Sequence, residues 1–194
     1  MHVVIASSVV GCSAFHRVGV PPTMFAAPSS VDHRRRSLPQ PTRIGMPTFE
    51  ARVALATTAE QLFDYIVHPA HLAGIMPPAT PLEVIESPER LELGSELVVD
   101  LDGFGPTQRL TYEVTAFDEP VSFTETMTNG PLGAWVHQRT IIPGEELVEL
   151  IEEVNFEPPA GLAGLLLTAA RIEASLTSGF AHRHRRLREL LEAK

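Results

Sequence analysis

The sequence predicts an α+β fold: a curved antiparallel sheet of six to seven strands wrapped around one long C-terminal helix, with one or two short helices after the first strand. Three observations predict it. Residues 82–156 alternate apolar and polar side chains in short runs divided by Gly, Pro, Asn and Asp, the pattern of an antiparallel meander. From residue 160 the apolar period changes to three and four, the pattern of an amphipathic helix. Finally, one helix cannot cover the inner face of a six- or seven-stranded twisted sheet, so the sheet must curl and leave a space between the two.

The elements follow in order. In residues 48–56, Phe49, Ala51, Val53 and Leu55 share one side of a strand, with Glu50 and Arg52 on the other. Thr57-Thr58 can cap the next helix, and Gln61 completes a capping box with Thr58. That helix covers about 59–67 with Leu62, Phe63 and Ile66 inward, and Pro69 ends it. Residues 68–78 form a short apolar connection with room for one helical turn. Strands are expected at 82–87, at 95–101 with Leu97, Val99 and Leu101 inward, and at 107–117 with Leu110, Tyr112, Val114 and Ala116 inward. Gly103-Phe104-Gly105-Pro106 and Asp118-Glu119-Pro120 supply turns. A hairpin over 124–142 comes next, then a last strand at 147–156. Val148, Leu150, Val154 and Phe156 form its apolar face, which Glu152 interrupts. Beyond Pro158-Pro159, Leu162, Leu165, Leu166, Ala169, Ile172, Leu176, Phe180, Leu187 and Leu191 predict a single helix over 160–192, roughly 45–50 Å long. Gly161, Gly164 and Gly179 weaken it locally, and Arg183, Arg185, Arg186 and Arg188 suit the negative end of its dipole.

Residues 1–45 break every period with Pro21-Pro22, Pro39-Gln40-Pro41 and the Arg34-Arg35-Arg36 run, which predicts a disordered tail ahead of one domain over 46–194. Patterned sequence starts directly after Met46, which favours translation from that residue. The competing reading is a short signal segment ending at Val9-Val10-Gly11-Cys12, which resembles a lipoprotein cleavage box, although no Lys or Arg precedes it. Charge divides unevenly. The first 45 residues hold five Arg and one Asp, leaving 10 basic and 23 acidic residues for the rest. So acidic a body is a poor partner for nucleic acid. At 44% hydrophobic and 20% charged the composition is that of an ordinary soluble domain, and no apolar run reaches the length of a membrane span. The single cysteine excludes an internal disulfide and a cysteine metal cluster, and points to a reducing, cytoplasmic setting. His68 and His71 invite a metal reading, but the ligand set around them is incomplete, so no metal or other cofactor is expected.

The hairpin concentrates the chemistry. Phe123, Glu125 and Met127 alternate on the way in, Asn129-Gly130-Pro131-Leu132-Gly133 reverses the chain with positive φ expected at Asn or Gly, and Trp135, His137, Arg139 and Ile141 alternate on the way out. If Met127 faces Trp135, then Glu125 falls opposite His137 and Phe123 opposite Arg139. That gathers an acid, an imidazole and a guanidinium beside the only tryptophan. A solvated face with charge pairs would carry the same residues.

On these residues the sequence resembles the START-like, helix-grip superfamily also called SRPBCC, which includes polyketide cyclase/dehydrase types. More narrowly it is similar to an uncharacterised bacterial ligand-binding branch with Phe-x-Asp-x-Gln, Gly-Pro, Trp-x-His-x-His, an Asp in the next strand and a closing Phe-x-x-Arg. The matching positions are Phe123-Thr124-Glu125-Thr126-Met127, Gly130-Pro131, Trp135-Val136-His137-Gln138-Arg139, Glu152 and Phe180-Ala181-His182-Arg183. Met127 replaces an amide and Arg139 a second His, which puts roles needing those groups in doubt. The resemblance implies a cavity between sheet and C-terminal helix. Parity with Leu110, Tyr112, Val148 and Leu150 then turns Trp135, Phe123, Glu125, His137, Arg139 and Glu152 inward. One reading is a structural ion-pair network that tolerates burial. The functional reading is a pocket for a small, mostly apolar molecule (a lipid, polyketide or aromatic), contacted by Trp135, Arg139, Tyr112, Glu152, Phe123, Met127 and Phe180. An alternative is a cyclase, dehydratase or isomerase with His137 and Glu125 as acid–base pair and Arg139 steadying an enolate. A protein-interaction module with an acidic outer face is the third.

Overall fold

The computed structural model describes residues 45–102 and 106–192. The expected tail (Gly45 excepted), Cys12 within it, and the first three residues of the turn at 103–106 lie outside the described residues. Among the described residues the first element is β1 (Thr48–Leu55), whose inward side is the expected Phe49, Ala51, Val53 and Leu55. Helix α1 (Ala59–Ile66) starts at Thr58, whose hydroxyl accepts from the Gln61 amide at 3.2 Å. The Gln61 side chain accepts from the Thr57 hydroxyl at 3.0 Å, so the capping box uses both threonines. A 3₁₀ turn (Pro69–His71) and α2 (Leu72–Ile75) fill the connection. His68 and His71 are each engaged through Nδ1 with a backbone carbonyl, of Asp64 at 2.6 Å and Tyr65 at 2.9 Å.

Six strands follow: β2 (Leu82–Glu86), β3 (Glu96–Leu101), β4 (Gln108–Asp118), β5 (Ser122–Asn129), β6 (Ala134–Ile142) and β7 (Val148–Glu157). They form one seven-stranded sheet in the order β1-β7-β6-β5-β4-β3-β2, antiparallel at every pair. Adjacent strands are sequence neighbours except at the β1–β7 pair, as short turns require. The hairpin register is the expected one, with Glu125 opposite His137 and Phe123 opposite Arg139. The chain reverses where expected, over residues 130–133, but without the expected glycine conformation. Neither Gly130 nor Gly133 takes a positive φ. Both provide clearance instead: a Cβ at Gly130 would run into the Met127 sulfur, and one at Gly133 would crowd the Glu157 side chain at 3.1 Å.

Two further expectations change. Ala116 does not lead the inward face of β4. A bulge between Val114 and Ala116 shifts the register and brings in Phe117, which packs edge-on against Phe63 at 5.3 Å. The C-terminal helix is also divided. Helix α3 (Gly161–Leu166) ends at Leu167, and α4 (Ala169–Leu191) restarts at Thr168, whose hydroxyl receives the Arg171 amide. Leu162, Leu165 and Leu166 are 83, 73 and 72% exposed, so the covered part of the expected apolar stripe begins at Ala169, which packs against the cluster of Val154, Phe156, Ile172 and Phe180. The two glycines of α3 and the cap at Thr168 make the break favourable. Helix α4, about 35 Å long, lies across the sheet with Ile172 and Phe180 against Val154 and Phe156, and with Leu187 in the larger cluster around Phe63 and Phe123. Among the described residues, no helix is long and apolar enough to cross a membrane.

The division of the helix predicts unequal leucines. Leu165→Gln should change unfolding free energy by less than about 0.5 kcal/mol. Leu187→Ala, at a fully buried site, should lose about 2–5 kcal/mol. Urea denaturation of the two variants measures both, and an equal loss would restore the continuous stripe.

Candidate functional site

Between α4, the inner face of β3 to β6 and the segment from α2 to β2 lies a cavity of about 260 Å³. Its wall is mostly apolar: Leu97, Val99 and Leu110 from the sheet, Leu72 and Met76 from the α2 segment, Ile172, Leu176 and Phe180 from α4, with Tyr112, Met127 and Trp135 between them. Alternation places these residues on one face of each strand, so the same parity that builds the core also builds the wall. At one end the wall turns polar, where Glu125, His137, Arg139 and Arg183 reach it.

That end is a cross-element ion cluster. Glu152, fully buried on β7, is its hub. His184 Nε2 lies 2.7 Å from Glu152 Oε2, and since an ionised carboxylate only accepts, this nitrogen carries the proton. Three further nitrogens surround Glu152 Oε1 at longer range: His137 Nε2 at 3.4 Å, Arg139 Nε at 3.5 Å and Arg183 Nε at 3.5 Å. Arg139 Nη1 donates to Glu125 Oε2 at 2.5 Å. Two carboxylates face two guanidiniums, so the formal charges of these four groups sum to zero. Such a set is far less costly to bury than any member alone.

The electrostatics follow from burial and neighbours. Burial, with the Arg139 guanidinium beside it, pushes His137 down to about 4, so its ring is neutral at pH 7. Burial pushes Glu152 up, but Arg183 and the two imidazoles outweigh it and hold the carboxyl well below its usual value. Burial likewise opposes ionisation of Glu125, and Arg139 again prevails. Desolvation, helped by the Glu125 charge, raises Tyr112 out of its ordinary range, leaving a phenol.

Of the residues singled out from sequence, Glu125, His137, Arg139, Tyr112, Trp135, Met127 and Phe180 border the cavity, and Phe123 and Glu152 do not. Phe123 sits behind the cluster, 4.6 Å below the Arg139 guanidinium and packed on Phe63. Glu152 lies beneath the cations. His137 and Glu125 are cross-strand neighbours, yet the imidazole Nε2 faces Glu152 at 3.4 Å, and Glu125 is taken by Arg139. Arg183 and His184 belong to the cluster although the helix dipole alone accounts for basic residues there. The signal for them was their place at three and four residues after Phe180, on the stripe that continues to Leu187.

The cluster predicts acid lability. The folded pKa of His137 lies below its unfolded value, so the unfolded chain binds a proton first, and stability falls as pH drops from about 6.5 to 4. The depressed carboxyls add a further loss below about 4.5. Denaturation at pH 7, 5.5 and 4.5 should show a decline on the order of a few kcal/mol, and His137→Gln should flatten the part between 6.5 and 4.5. An unchanged slope in that variant would assign the loss to other groups.

Comparison with known proteins gives a family and a fold. The family described as a domain of unknown function, DUF8410, matches residues 69–191. No curated protein matches the chain. Among solved structures, the Zhui aromatase/cyclase from Streptomyces sp. R1128 is similar with a TM-score of 0.62 at 17% identity, covering 76% of this chain and 94% of that one. A START superfamily protein from Mycobacterium smegmatis gives 0.55 at 16% identity, covering 75% and 97%. The major latex-like protein 151 of Panax ginseng gives 0.57 at 13%, covering 76% and 99%. With more than half of its length matched, and a curved sheet gripping a C-terminal helix in common with these structures, the chain is a member of the DUF8410 family built on the START-like helix-grip fold.

Proposed function

We propose that the protein binds a small, mostly apolar molecule in the cavity between sheet and α4. The single observation that carries this reading is a cavity of about 260 Å³ walled by apolar side chains and closed at one end by a buried, charge-balanced cluster. Each methylene of a guest leaving water for such a wall gains about 0.8 kcal/mol. Trp135, Tyr112, Met127 and Phe180 supply contact for its rings or chain, and His137, Arg139 and Glu125 meet whatever polar group it carries.

Acid–base catalysis at His137 is the less favoured reading. Its Nε2 has no hydrogen-bond partner, which suits a reacting group. However, an imidazole held down to about 4 is a weak base at neutral pH. Binding asks only that the polar end stay intact.

Gly179 offers the test. It lies inside α4, borders the cavity, and a Cβ there would meet nothing within 4 Å. Gly179→Ala should therefore stabilise the fold by about 0.5–1 kcal/mol. Gly179→Leu should keep that stability while filling the cavity, and so weaken binding at least about tenfold, a loss near 1.4 kcal/mol. Binding is read from quenching of Trp135, the chain's only tryptophan, on titration with a naphthalene, and from bound mass in native mass spectrometry. A Gly179→Leu variant that binds as the natural protein does would sink the proposal.

A further inference from the structure

The polar end of the cavity has more donors than acceptors. Arg139 and Arg183 together carry ten guanidinium N–H groups, five each. Facing them are four carboxylate oxygens, of which Glu125 Oε2 already accepts from Arg139 and Glu152 Oε2 is bonded to His184. Glu152 Oε1 has three nitrogens around it, none closer than 3.4 Å. Arg183 is the member left over. It is 8% exposed, it borders the cavity, and its Nε and Nη2 have no hydrogen-bond partner. A buried donor without an acceptor is costly, and Arg183 is a guanidinium on the cavity border whose donors are left over.

Charge narrows the class further. The two carboxylates and two guanidiniums already balance, so a guest carboxylate would bring an uncompensated negative charge into a buried site. A hydroxyl would add another donor where acceptors are short. A carbonyl oxygen accepts two hydrogen bonds and brings no charge. Building on the proposed binding of an apolar molecule, we infer that the guest carries a neutral carbonyl oxygen, as in a ketone, enone, ester or lactone, and docks it on the Arg183 guanidinium with its apolar body against Trp135 and Leu176. In this arrangement Arg183 is a specificity-determining residue, and Glu152 positions it.

Three probes of matched shape test this: 2-acetylnaphthalene, 2-isopropenylnaphthalene, in which a methylene replaces the carbonyl oxygen, and 2-naphthoate. Each is titrated against Trp135 fluorescence in the full chain and in Arg183→Lys, which keeps the positive charge beside Glu152 but loses the planar fork. The preference for ketone over alkene should fall about tenfold or more in the variant, the size expected for a hydrogen bond from a charged donor. Independently of that variant's folding, the carbonyl stretch of 13C-labelled 2-acetylnaphthalene bound to the natural protein should lie at lower wavenumber than in hexane. An unchanged ketone preference with a hexane-like stretch would overturn the carbonyl assignment and leave cavity binding standing. Tighter binding of 2-naphthoate than of the ketone at pH 7 would overturn it in favour of an anionic guest. If none of the three quenches Trp135, the binding reading itself falls, and this inference with it.

Discussion

A carboxylate with no exposure to water must be neutralised where it sits, and Glu152 is such a carboxylate. Its strand, β7, is an interior strand between β1 and β6, and its side chain lies on the face that α4 covers. The charge is met from both layers of the fold: His137 and Arg139 come from the neighbouring strand, and Arg183 and His184 from the helix above. Glu152 thus ties α4 to the sheet by electrostatics at one level. Removing one partner of such a set leaves a buried charge uncompensated, a loss of about 3–5 kcal/mol in comparable cases.

That tether has a geometric consequence. Helix α4 is held to the sheet by Phe180 and Ile172 against Val154 and Phe156, by the ion cluster one turn further on, and by Leu187 beyond it. All of these contacts lie toward β7 and β1 or near the C-terminal part of the helix. On the other side the sheet curves away through β5, β4 and β3, and the side chains of Leu97, Val99 and Leu110 do not reach far enough to close the gap. Small residues on the facing side of the helix, Ser175 and Gly179, keep it open. The cavity follows from one-sided anchoring.

Much of this was legible in the sequence because it rests on period and parity. Strand alternation set the inward faces, and the register of the β5–β6 hairpin followed from counting across its turn, so Glu125, His137 and Arg139 were placed beside one another before any coordinates. What alternation cannot express is a bulge. One extra residue at Thr115 exchanged Ala116 for Phe117, and nothing local distinguishes that segment from a regular strand. The helix break escaped for a similar reason, since Leu162, Leu165 and Leu166 fit the helical period as well as buried leucines do. Period reports that residues share a face and is silent on whether anything covers it. Phe123 and Glu152 were correctly placed indoors yet lie behind the cavity wall, because inward on a strongly curved sheet includes both lining and backing. His184 was the instructive omission, and Arg183, matched to the family's closing Phe-x-x-Arg, was given no part in the site. A search for apolar residues at helical spacing passes over polar ones on the same stripe, although those are the positions where burial most needs explaining.

The structural and the functional accounts of the cluster can be separated by what each requires. A network that served only to glue helix to sheet would be replaceable by well-packed apolar side chains, often with no loss of stability, so burial of four formal charges is poor value as adhesive. A network that only tolerated burial would be expected to satisfy itself. This one does neither. Glu125 Oε2 and Glu152 Oε2 are engaged, the remaining donors stand at 3.4–3.5 Å from Glu152 Oε1, which is itself unpartnered, and Arg183 Nη2 has no partner. The donors left over belong to residues that border the cavity, while the carboxylate hub lies behind them. Unpartnered donors on a residue that borders the space, Arg183, are what a binding site for an acceptor requires and what a purely structural cluster would have no reason to keep.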